Sequence, residues 1–344
     1  MPEGDSVYRQ CKMLREALKG HVLDSSDLRV PALATTDLSG RTVVDVVPRG
    51  KHILIRLSAA PNASELKSGA EPLTLHSHLM MDGTWRVFER AVAAQDGAER
   101  ESGARAASSA GTAPAVRGRR GRQPYRRSAS VRSRAEARTP LSADVSIGQG
   151  SHTIRAILRT ATVDAIGFDV KDVRLVPTRL EDQELVGFLG PDILGPDWDL
   201  DEALRRLRDQ PDRAIGTALM DQRNLAGIGN VYRVEVLFMT RTNPWAPVGS
   251  LPEGKLTEIV TLAHKLLNLN RDRPLRSTVG HPATGRPLFW AYGHYDRPCR
   301  RCGARLKRGE IDDAAPSTTE ARGPSAVQHL RQIAWCPTCQ SGGA

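Results

Sequence analysis

No stretch of these 344 residues stays apolar for long. Runs such as ILIRL at 53–57 break within a few residues, whereas a membrane-spanning helix needs about twenty. The first ten residues, MPEGDSVYRQ, lack the apolar core of a secretory leader and are acidic where one would be basic. A cytoplasmic chain is expected from both absences. Cysteine is scarce, five residues in all, and in a reducing compartment so few thiols point to a metal or to chemistry before disulfides. Lysine is scarce too, eight residues against 41 arginines, so a lysine at a turn stands out.

What remains suffices for folded cores. A hydrophobic share of 40% with 26% charged residues excludes a wholly disordered or fibrous chain. At about 150 residues per domain, the length allows two domains and a small appendix. The net charge of +10 suggests an anionic partner such as nucleic acid. Residues 91–150 hold eleven arginines against five acidic side chains, so most of that excess lies in one segment. It is mainly Ala, Arg, Ser and Gly and cannot bury enough surface to offset its ordering entropy. A disordered insertion is expected, whose RGRRGRQPYRR either touches phosphates loosely or is a plain solvated loop.

The spacing of Val7, Cys11, Leu14 and Leu18 predicts a helix over 5–20 with Cys11 in the core. Period-two, β-branched patterns follow at 42–47, 52–57, 73–78, 84–88, 151–158 and 161–168, with turns at Arg49-Gly50 and Asp82-Gly83. An antiparallel sandwich is expected from them. Helical periodicity returns at 200–209, 214–221, 230–239 and 256–269, and the last fifty residues form a short cysteine-bearing unit. The fold class is therefore α+β, with a sandwich unit over 1–185, a helical unit over 186–292 and a small metal unit over 293–344.

Four signals carry chemistry. Cys299-x-x-Cys302 and Cys336-x-x-Cys339 are two thiolate hooks that together suit one tetrahedral, structural Zn²⁺; two local disulfides are the competing arrangement. Residues 312–326 look like a loop inserted between the hooks. The run LAGIGNVY at 225–232 places two glycines before Asn230 at a helix start, which serves either as a phosphate clamp or as an ordinary cap and turn. The start Met1-Pro2-Glu3-Gly4 would, once Met1 is removed, expose a secondary amine able to attack a sugar C1′, with Glu3 beside it as general acid. Lys51, in PRGKH at a hairpin turn, is either a functional cation or a solvated turn residue.

Taken in order, MPEG, RGKH, HSHLMMDGTWRV, GPDIL, DQRNLAGIGNVYRVE, CRRCG and R-x-x-x-W-C-P-x-C-Q resemble the endonuclease VIII / formamidopyrimidine-DNA glycosylase family, chiefly its endonuclease VIII branch. The resemblance covers nearly the whole chain outside 91–150 and 312–326. It implies a β-sandwich, a helix–two-turn–helix unit and a zinc ribbon, and a bifunctional glycosylase and AP lyase acting on damaged DNA. In that family's pattern Pro2 is the nucleophile, Glu3 the acid/base, and Lys51 a phosphate contact that assists catalysis. Asn230 and Arg331 grip the backbone, and Met80, Met81 and Asp82 fill the gap left by the flipped base, or else are ordinary turn packing. Glu235 matches an acidic residue near the base pocket. Oxidised pyrimidines are the expected lesions, with oxidised purines such as 8-oxoguanine as the alternative. A monomer at the nucleoid is expected, with no membrane partner. Two rivals, a non-catalytic nucleic-acid binder and a structural zinc protein, have no use for Pro2, Glu3 and Lys51 together. The pattern departs from many relatives at Ser6, where a second carboxylate is usual and for which Asp5 only partly substitutes.

Overall fold

Glu3 enters the first helix in extended conformation, and helix α1 (Gly4–Leu18) follows at once, its Val7, Cys11, Leu14 and Leu18 fully turned inward. It ends where expected: Gly20 takes a positive φ of 82° and its amide bonds back to Val43. The computed structural model describes residues 2–60, 71–90, 139–140, 152–280, 285–313 and 330–341.

Two layers, antiparallel but for one short parallel pair, take up the α1 face. One sheet runs β2 (Val43–Arg49), β3 (His52–Leu57), β4 (Leu73–His78), β9 (Asp172–Pro177). The other is ordered β1 (Ser25–Leu28), β7 (Ile154–Arg159), β8 (Val163–Phe168), β5 (Thr84–Glu89), closed by the two-residue β6 (Thr139–Pro140). Inward residues of both layers, among them Val46, Ile53, Ile55, Leu75, Trp85, Leu158 and Ala165, meet Leu14 and Leu18 in one core. The sandwich is thus as expected, with strand ends shifted by a residue or two. Two strands carried too little pattern to be picked out: β1 is the polar SSDL at an edge, and β9 is a sheet edge ending in proline. The expected insertion falls outside the described residues except for the two residues of β6.

The helical unit contains α2 (Leu200–Arg208), α3 (Ile215–Ala218), α4 (Asn230–Met239) and α5 (Lys255–Asn270). Asp199 caps α2 by accepting the Glu202 amide at 3.0 Å. The helix expected over 214–221 is only four residues long. Its C-terminal neighbour Asp221 instead forms a turn, accepting from Arg213 and Arg223 and, through its carbonyl, from the Asn224 amide. Leu204, Leu219, Ile228, Leu237, Ile259 and Leu267 make this unit's core. The expected boundary at 185/186 falls within a π-helical turn, Asp182–Val186, whose Leu185 and Val186 pack with Leu54 of the sandwich and Ala226 of the helical unit.

The last unit is a two-stranded ribbon, β10 (Lys307–Asp312) against β11 (Leu330–Trp335). Here the expected loop starts too early. Asp312 is still paired, opposite Leu330, and Asp313 is nearly buried, because two guanidiniums hold it. Residues 314–326 of that loop lie outside the described residues. No described helix is long and apolar enough to cross a membrane.

Candidate active site and nucleic-acid interface

The chain start docks on the glycine turn before α4. The Gly4 amide donates to the Gly227 carbonyl at 2.8 Å, and a Cβ on Gly4 would come within 3.0 Å of that oxygen. Gly227 itself needs a positive φ of 103°. Glu3 then swings under α4: its Oε1 accepts the Val231 amide at 2.7 Å and its Oε2 lies 3.4 Å from the Tyr232 amide. A carboxylate at a helix N-terminus satisfies free amides and meets the positive end of the helix dipole. It fits only because residue 229 is glycine, since a Cβ there would lie 2.4 Å from the Glu3 side chain. The amides expected to clamp a phosphate are therefore occupied by the protein's own Glu3, which is fully buried. Pro2, one residue earlier, is half-buried.

Arg276, not singled out in the sequence, closes this corner. It binds the Asp5 carboxylate through two nitrogens, one at 2.8 Å, stands 3.8 Å from Glu3 Oε1 and lies over the Tyr232 ring at 5.0 Å. It also donates to Ser6 Oγ at 2.9 Å. Burial pushes the Asp5 carboxyl up, but the charge and hydrogen bonds of Arg276, helped by Arg9, hold it below the ordinary carboxylate range. No spacing pattern marks an arginine 271 residues away from its carboxylate.

Lys51 projects from the β2–β3 turn. Gly50, at φ 56°, gives its amide to buried Asp192 at 2.7 Å and so fixes the turn against the helical unit. Burial, with Arg331 and Arg233, lowers the Lys51 ammonium and outweighs the opposing Glu3 and Asp313, to a net of about 8. The charges of all four reach the lysine. Arg233 is itself buried, donating to Asn230 Oδ1 at 3.1 and 2.7 Å and pairing with Asp313. Asn230 Nδ2 donates to the Gln332 carbonyl of β11 at 3.0 Å, and Arg331 Nε lies 3.1 Å from Asp313 Oδ2. Lys51, Asn230 and Arg331, from three separate units, are thus brought together with Glu3. Arg233 and Asp313 join them without having been expected.

The β4–β5 turn presents Met80 and Met81, 45% and 56% exposed, followed by exposed Asp82. Met80 holds a positive φ of 51°, rare and strained for methionine. Its amide donates to His78 Nδ1 at 3.0 Å, which requires an unprotonated nitrogen; burial, then the Lys51 charge, lowers His78 and keeps it so. Gly83 completes the turn, where a Cβ would lie 2.5 Å from the Leu79 carbonyl. The braced turn thus leaves two apolar side chains exposed side by side.

Glu235, expected near the base pocket, lies inside the protein. It is fully buried, and it accepts the amides of Trp290, Ala291 and Tyr292 at 2.7–2.8 Å and the Thr278 hydroxyl. These bonds use its acceptor directions and tie Thr278 and residues 290–292 to α4.

The four Cys sulfurs lie within 4.8 Å of one another, with Cys302–Cys336 at 3.5 Å and Cys299–Cys339 at 4.0 Å. A tetrahedral ion with bonds of about 2.3 Å to sulfur needs S···S separations of about 3.8 Å, so the four fit one metal ion. Backbone amides of Arg301 and Cys339 point at Cys299 and Cys336 sulfurs at 3.4 Å, which suits thiolates.

Comparison with known proteins agrees with this geometry. Residues 1–121 match the formamidopyrimidine-DNA glycosylase N-terminal domain and residues 189–271 its H2TH domain. The chain is 41% identical over its whole length to a Streptomyces coelicolor protein named "Probable endonuclease 8 2", covering 95% of it. It is 34% identical to a Mycolicibacterium smegmatis protein named "DNA-(apurinic or apyrimidinic site) lyase Nei2", over 99% of both chains. Its fold matches Lactococcus lactis Fpg solved with abasic-site DNA, at TM-score 0.63, 18% identity and 98% and 99% coverage of the two chains. By whole-length similarity, both domain matches and this fold, the chain belongs to the endonuclease VIII / formamidopyrimidine-DNA glycosylase family.

Proposed function

We propose that this base-excision-repair DNA glycosylase and AP lyase removes oxidised pyrimidines through Pro2, with Zn²⁺ held by Cys299, Cys302, Cys336 and Cys339. The observation that carries the reading is the docking of the chain start, which sets Pro2 beside a Glu3 carboxylate anchored on α4 and faced by Lys51. Once Met1 is removed, the Pro2 nitrogen has a free electron pair at neutral pH in part of the molecules, its pKa being about 8. That pair forms a bond to C1′ as the C1′–base bond breaks, and the departing base takes a proton from water. The Pro2 nitrogen sheds its own proton to the Glu3 carboxylate, which passes it to the ring oxygen as the C1′–O bond breaks, opening the sugar to an iminium. Loss of a proton from C2′ then expels the 3′-phosphate, and a second elimination expels the 5′-phosphate.

Lys51, Arg331 and Asn230 hold the backbone at the lesion; Met80, Met81 and Asp82 fill the space that the extruded nucleotide leaves. Zinc would supply a crosslink that keeps β11 and Arg331 in place, and no reaction step. The protein works as a monomer on nucleoid DNA in the cytoplasm. Pyrimidine preference rests on the endonuclease 8 names of its relatives and on the MPEGD and HSHLMMDGTWRV signatures. Borohydride trapping on a panel of oxidised-pyrimidine, 8-oxoguanine and abasic duplexes tests the reading. Pyrimidine and abasic duplexes should be trapped most, Pro2→Gly should weaken trapping sharply, and a tag blocking Pro2 should abolish it. Lyase activity that survives the tag would mean another amine is the nucleophile.

A further inference from the structure

The phosphate grip of this protein already holds an anion. Asp313 stands one residue beyond the last rung of the β10–β11 ladder, and its side chain is 8% exposed. Its Oδ1 pairs with Arg233 and its Oδ2 lies 3.1 Å from Arg331; burial pushes its carboxyl above the ordinary range, against the charges of Arg233, Arg331 and Lys51. We propose that Asp313 is an internal counter-anion of the phosphate seat, occupying the place of a DNA phosphate and thereby setting the affinity for nucleic acid. This rests on the reading of Lys51, Asn230 and Arg331 as the phosphate grip.

Four features support an exchangeable anion over a fixed one. Buried Oδ2 accepts no aligned hydrogen bond although Arg331 stands beside it, so charge alone holds that side. Displacing Asp313 breaks no strand pair, because the ladder ends at Asp312. Among the described residues, Glu3 and Asp313 are the two carboxylates whose charges bear on both Lys51 and Arg233; with Asp313 displaced Glu3 alone remains, and the seat gains attraction for a phosphate monoanion. Arg233 keeps two bonds to Asn230 when the carboxylate leaves, and the incoming phosphate replaces its counter-charge.

The test is Asp313→Asn in the full-length, metal-loaded protein, binding a duplex with a tetrahydrofuran abasic analogue across a salt series. Affinity should tighten about tenfold at low salt, and the slope of log K against log salt should steepen by up to about 0.9, one phosphate's share. Inorganic phosphate should compete at lower concentration against the variant than against wild type. Asp313→Ser should behave alike, and Asp313→Glu should stay near wild type. Unchanged or weakened binding by the neutral variants overturns the proposal. So does failure of both to fold, which would make the carboxylate a fixed structural counter-ion. If wild type itself neither binds nor traps abasic DNA, it is the functional reading that fails.

Discussion

Lys51 illustrates how one side chain pays for its position in proton affinity. Its ammonium is lowered to about 8 by burial, so the free protein loses that charge as the pH rises through 8, while an unfolded lysine would keep it to about 10.4. The folded state therefore binds fewer protons than the unfolded one between these values. The burden of burying the charge is present below pH 8 and is lifted as pH rises through that window. For function the sign is opposite: affinity for uncleavable abasic DNA should fall above about pH 8. Lys51→Arg, whose guanidinium stays charged, should move that loss beyond the measurable range even if its overall affinity is lower. A wild-type affinity flat from pH 7 to 10 would remove Lys51 from the phosphate grip.

At the scale of elements, the glycine turn and α4 act as a socket for the chain start. Gly229 has extended backbone angles, φ −134° and ψ −168°, that alanine adopts freely, so Gly229→Ala strains nothing in the backbone. Its methyl would instead strike Glu3, displacing the carboxylate from the helix amides. We expect stability to fall by about 1–3 kcal/mol and borohydride trapping by at least about tenfold, read by thermal unfolding and gel assay. Gly20→Ala is the matched control, since a Cβ there meets nothing and only the positive φ is strained. It should cost stability and leave trapping intact. Equal trapping by the two variants would show that the socket does not position Glu3.

Across the whole molecule, the cysteine ribbon is fastened to the helical unit as much as to itself. Phe238 and Val234 of α4 share a core with Leu306, Ile333, Cys299 and Cys336, and Gln340 donates to the Thr242 carbonyl at 2.8 Å. Losing the metal should therefore disturb the site from a distance. Cys336→Ser should lose one equivalent of bound zinc and weaken abasic-DNA binding through misplacement of Arg331 and Asp313, while the sandwich keeps its circular dichroism. Full DNA affinity in a metal-free preparation would separate the ribbon from the grip.

The sequence by itself determined the elements with strong periodicity and the residues tied to short motifs. The α1 face, the inner strands, α4, α5 and the two cysteine hooks were legible because local spacing encodes which side is buried or which sulfurs can converge. The four-residue α3, the edge strands β1 and β9 and the true start of the ribbon loop were not, because polar edges and tertiary hydrogen bonds leave little periodic trace. Pro2, Glu3, Lys51, Asn230 and Arg331 could be named in advance from motifs and the family resemblance they carry. What only the tertiary structure decided is what each of them touches. Glu3 takes the helix amides that the glycine turn offered to a phosphate, Glu235 faces inward, and Arg276, Arg233 and Asp313 complete the charge set. Those pairings join residues as much as 271 positions apart, and electrostatic partnership at such separation is a property of the folded arrangement of charges and not of any local pattern.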